Sequence, residues 1–93
     1  MDVERVELSF RDALEIAELL EQLTVSLDRI GSRMADGQDG GPLLLAFSLD
    51  AHIARRCSRL RQPVWDAIDR LKGPGSSESF AEAVPNYPEV GGH

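Results

Sequence analysis

The chain has 93 residues, a formal charge of −6, one cysteine and two histidines, so it has room for a single small domain with no disulfide to brace it. Its longest apolar run, residues 43–47, is far short of the ~20 residues that cross a bilayer, so no membrane partner is expected. An acidic whole also disfavours non-specific nucleic-acid binding, which rests on neutralising phosphates.

The charge is unevenly spread. Residues 1–41 hold ten acids against four bases, 42–72 hold three against six, and 73–93 hold three acids and no base. The first two segments therefore attract each other. The opening MDVERVELSF is charged and lacks an apolar stretch, so a signal peptide is not expected, and the lone cysteine adds to the expectation of a cytoplasmic protein.

Residues 1–8 read as an extended arm or short strand, with Val6, Leu8 and Phe10 alternating with Glu7 and Ser9. Ser9 is placed to cap a helix with its hydroxyl, with Asp12 as an acid in the first turn. The first helix is predicted over 9–35. Its apolar stripe is Val6, Ala13, Ile16, Leu20, Leu23, Leu27, Ile30 and Met34. From Ala13 onward the steps alternate three and four, the repeat of a helix lying lengthwise on another helix. Leu14, Leu19 and Val25 fall outside that stripe.

Three glycines within residues 36–41 read as a flexible connection. Pro42 suits the first turn of a second helix. Apolar positions then recur at Ala46, Leu49, Ile53, Cys57, Leu60, Val64, Ala67 or Ile68, and Leu71. This phase carries straight across Pro63: either one long helix is kinked there, or one helix ends near Arg61 and another begins with Pro63 in its first turn. Two closely joined segments, 42–61 and 63–72, are predicted. A strand over 43–49 is the alternative, because five apolar residues in a row carry no periodicity. Residues 73–93 hold three of the five prolines and read as a flexible acidic tail, with one turn over 80–84 capped by Ser79. The fold class is all-α: a helical hairpin or small helical bundle with its second helix broken at Pro63. Residues 1–72 form the domain.

Folding that hairpin about Gln38 brings positions summing to 77 opposite each other. Glu21 then meets Arg56, Glu18 meets Arg59, Glu15 lies near Arg61, and Leu20 and Leu23 meet Cys57 and Ile53. Such flanking charges set orientation and register more than stability.

The segment 53–71 resembles the helix-turn-helix of winged-helix regulators through Ile53-Ala54, Val64, Ile68 and Arg70-Leu71. Ser58 stands where the motif has its turn glycine, Arg59 where it has an apolar residue, and no wing follows. The resemblance implies DNA contacts at Arg59, Arg61 and Gln62, since Arg and Gln make bidentate base contacts.

Catalysis finds little to work with. His52 and Cys57 are five residues apart, off the spacing that shares a helix face, so no metal pair forms. The acids lie on solvated helix faces, where nothing separates their affinities for protons. No nucleotide fingerprint or nucleophile set is present, so neither an enzyme nor a cofactor is expected.

A core from about seventy residues rarely supplies more than ~3–5 kcal/mol, which points to self-association or a protein partner. The leading expectation is a dimeric adaptor or regulatory subunit. Its working surface is expected at Leu14, Leu19, Phe47 and Trp65, joined by Phe80 and Tyr87 of the tail. The alternative is a small DNA-binding regulator using 53–71.

Overall fold

The computed structural model describes residues 3–86. It is all-helical: α1 spans Phe10–Ala35, α2 Gly40–Asp50, α3 Ile53–Lys72 and α4 Ser76–Glu82. Residues 3–8 form neither helix nor strand.

Helix α1 starts as its sequence demands. Ser9 is extended at φ −62°, ψ 152°, and its Oγ accepts the Asp12 N–H at 3.1 Å. That bond satisfies one of the first-turn donors that have no partner within the helix. The residues between α1 and α2 are fewer than expected. Asp39 caps α2 by accepting the Gly41 N–H at 3.0 Å, so Gly40 and Gly41 are helical and not part of a flexible connection. Residues 43–49 are helical, which closes the strand alternative.

The break in the second half falls at Ala51 and His52, not at Pro63. His52 adopts the left-handed conformation at φ 51°, ψ 43°, ending α2 and starting α3 in a new direction. Helix α3 then runs through Pro63 without interruption. The proline removes the N–H that would reach the Arg59 carbonyl, but nine helical residues follow it and the amphipathic face continues across it. Ile53, Cys57, Val64 and Ile68 are half-buried on that face, with Leu60 and Ala67 fully buried.

Residues 76–82 are likewise not a loose tail. Gly73 and Gly75 turn the chain at φ 108° and 85°, values that side-chain-bearing residues rarely adopt. The Asp69 carboxylate on α3 then accepts both the Ser77 N–H at 2.7 Å and the Ser77 hydroxyl at 2.9 Å. A side chain from another helix thus caps α4, which has no side-chain cap of its own.

Helices α1 and α3 are antiparallel. Arg59 Nη1 meets Glu15 Oε2 at 2.8 Å, Arg56 donates to Gln22, and Lys72 pairs with Glu4. These pairs sum to 74, 78 and 76, close to the expected 77. The partners shift by up to a turn: Arg59 takes Glu15 where Glu18 was expected, and Arg56 takes Gln22 where Glu21 was expected. Arg56 also donates to the Ala51 carbonyl at 3.1 Å, closing the end of α2.

The predicted stripe of α1 divides. Ile16, Leu23 and Ile30 point inward, joined by buried Leu19 and half-buried Ser26. Ala13, Leu20, Leu27 and Met34 face water. The inward row advances 16, 19, 23, 26, 30; it keeps the alternation of three and four and shares 16, 23 and 30 with the predicted stripe, but takes 19 and 26 where that stripe had 20 and 27.

The result is an open molecule. Its radius of gyration is 16.6 Å, against ~12 Å for a compact chain of this length. It exposes 7716 Å², roughly 2,400 Å² more than a compact monomer of this mass presents. The exposed arm and residues 83–86 contribute to that excess, and the apolar faces of α1 and α2 do as well.

Candidate interaction surface

Among the described residues only Leu19, Leu60 and Ala67 form a fully buried apolar core, while thirteen large apolar side chains are exposed. Those exposed residues fall into two helical faces and a scatter at the ends. Helix α2 is apolar all round, so whichever side packs inward, the other must present leucines to water. Leu43 and Phe47 turn toward α1, leaving Leu44, Leu45 and Leu49 outside. With Ser26, Arg29, Ile30 and Arg33 of α1, the inward pair lines a shallow cleft of about 250 Å³.

Helix α1 supplies the other face. Phe10 is 80% exposed, Leu20 57%, Met34 55% and Leu27 47%. Between them lie exposed Ala13, Ala17, Thr24 and Gly31. The row 10, 13, 17, 20, 24, 27, 31, 34 keeps alternating steps of three and four along nearly the whole helix. None of its eight positions is charged, although eight of the helix's 26 residues are.

Of the residues expected at the working surface, Leu14 and Phe80 are exposed, while Phe47 and Trp65 are half-buried. Leu19 is a correction: at 5% exposure it belongs to the core, because the inward row takes residue 19 where the predicted stripe had Leu20. Tyr87 lies outside the described residues. The structure thus does not gather the expected residues into one patch. Leu20, Leu27, Met34, Leu45 and Leu49, which it does expose, were missed. The heptad row ending at Met34 carries the signal for three of them. The outer leucines of α2 carry none, because an all-apolar helix does not tell its inside from its outside.

Arg59, Arg61 and Gln62, expected to contact DNA, lie on one uninterrupted helix. The turn that a helix-turn-helix requires is not formed between residues 53 and 72. Arg59 is engaged by Glu15, and Gln62 donates to Asp66 at 2.8 Å on its own helix. Arg61 is exposed.

One carboxyl is perturbed. The Arg59 guanidinium, and after it that of Arg11, hold Glu15 below the usual carboxylate range by hydrogen bonding its charged form. Both partners are on the surface, so the arrangement is a strap between helices and not a reactive centre. No helix among the described residues is long and apolar enough to cross a membrane. Compared with known protein families, characterised proteins and solved structures, the chain matches none.

Proposed function

We propose that this protein is a non-enzymatic interaction module, an adaptor or regulatory subunit that works by laying its outer apolar faces against another polypeptide. The observation that carries the reading is the imbalance between surface and core. Among the described residues, thirteen large apolar side chains face water while three apolar side chains are buried, in a molecule more open than its length requires. Contiguous apolar faces of this kind, rimmed by charge, mark sites of protein contact. Association also supplies the burial that the small core lacks.

Two measurements test it together. Light scattering over a wide concentration range reports association, and an apolar-surface dye reports uncovered leucines. The expected result is association, or strong dye binding by whatever remains monomeric. A monomer that binds no dye and melts at the same temperature at every concentration overturns the reading, since a ligand-linked fold must gain stability with its partner.

A further inference from the structure

The geometry points to a second copy of this chain, laid antiparallel along the outer row of α1 from Phe10 to Met34, as the occupant of that face. The inference rests on the interaction reading above and names its partner, face and orientation.

Four observations converge. First, the outer row is a full heptad seam, with Phe10, Ala17, Thr24 and Gly31 at one core position and Ala13, Leu20, Leu27 and Met34 at the other. It lies one residue step, roughly 100°, around the helix from the inward row. A helix can therefore dock along it without displacing α3, and it abuts α2 only at Met34, whose side chain lies over Gly40.

Second, sizes match when the row meets itself reversed. In an antiparallel pair, residues summing to 44 face each other: Phe10 with Met34, Ala17 with Leu27, Leu20 with Thr24, and Ala13 with Gly31. Leucines then oppose small residues, and Gly31, which has open space around it, allows close approach. A parallel pair sets Phe10 on Phe10, and glycine on glycine at Gly31.

Third, the helix dipoles favour the reversed copy, since an antiparallel pair sets them head to tail. The positions flanking the seam are Glu21 and Asp28 on one side and half-buried Ile16, Leu23 and Ile30 on the other. Reversal sets Asp28 beside Leu14 and Glu21 beside its own copy, and the two Glu21 side chains are the unfavourable pair.

Fourth, the area suffices. A specific dimer covers ~800 Å² per partner; the chain as a whole exposes more than that in excess of a compact monomer, and Phe10, Leu20, Leu27 and Met34 of the seam are each about half exposed or more. The contact is isologous, so it closes at two copies and does not propagate.

Sedimentation or light scattering should show a dimer. The double variant Leu20→Glu, Leu27→Glu should loosen it by about a hundredfold or more while its circular dichroism stays helical, because both side chains already face water. On a Cys57→Ala background, an oxidised equal mixture of Ala17→Cys and Leu27→Cys chains should give the mixed disulfide, and Gly31→Cys alone should give none. A chain that is monomeric at every soluble concentration, a dimer indifferent to the Leu20 and Leu27 charges, or self-crosslinking of Gly31→Cys overturns the inference. A monomer that binds the apolar dye, or a dimer broken only by Leu45→Glu and Leu49→Glu, removes this pairing and leaves the interaction reading standing. A monomer without dye binding removes both.

Discussion

Arg59 of α3 reaches Glu15 of α1 at 2.8 Å, tying together residues 44 apart in sequence and fixing the register of the two long helices. The same carboxylate takes a second bond at 3.3 Å from Arg11, so two cations hold one anion at the seam.

That arrangement sets a pH dependence. Glu15 binds its proton more weakly in the folded chain than in the unfolded one. The unfolded state therefore takes up the proton first as pH falls, and the stabilisation present above about pH 4.3 is lost progressively below it. Urea midpoints measured from neutral to acidic pH should decline for the native sequence. Glu15→Gln should be less stable at neutral pH and decline less steeply; parallel curves would refute the assignment.

Core and outer row should separate cleanly under truncation. Leu60 is 3% exposed, so Leu60→Ala should cost about 2–5 kcal/mol. Leu20→Ala, measured at a dilution where the chain is monomeric, should stay within about 0.5 kcal/mol. Equal costs would mean that Leu20 is packed inward.

The Asp69 cap gives a local readout. Asp69→Ala removes both bonds to Ser77, and capping bonds of this kind are worth about 0.5–2 kcal/mol. Amide exchange at Ser77 and its neighbours should accelerate, while exchange across α1 stays unchanged. Unchanged exchange at Ser77 would show that α4 stands without the cap.

Pro63 sits in the middle of a continuous helix, where its ring displaces a backbone bond. Pro63→Ala restores the donor to the Arg59 carbonyl, and the melting temperature should rise by an amount corresponding to about 1–3 kcal/mol. A fall would mean that the packing of α3 depends on the proline ring itself.

DNA binding is expected to be negligible, because the arginine segment forms one helix and Arg59 is held by Glu15. Titration of mixed-sequence DNA at low salt should give no saturable signal. Binding abolished by Arg59→Ala and Arg61→Ala would reverse that conclusion.

Much of this architecture was legible in the residues. The Ser9 cap, the end of α1 at Ala35, the inward phase of α3 and the antiparallel pairing of α1 with α3, though not its individual partners, followed from spacing and charge alone. The kink of interest was not. Proline at 63 is the stronger sequence signal for a break, yet the chain turns at His52, where no glycine marks a left-handed residue. The Asp69–Ser77 bond was illegible for a different reason: a carboxylate on one helix capping another has no local pattern. For α1, the predicted stripe took alternate members from two rows. It combined inward Ile16, Leu23 and Ile30 with outward Leu20, Leu27 and Met34, because each set is seven-spaced and both are apolar. Periodicity finds the presence of such rows, but their direction depends on what packs against them.

The single-step offset between those rows has a consequence for how this sequence can drift. Deleting one residue near the beginning of α1 would turn everything after it by about 100°, delivering Leu20, Leu27 and Met34 to the interior and releasing Leu19 and Leu23 to solvent. Both versions keep a greasy side and a wettable one. The exchange is not even, since Ala17, Thr24 and Gly31 would enter where Ile16, Leu23 and Ile30 now pack, so the shifted chain would give up apolar volume inside.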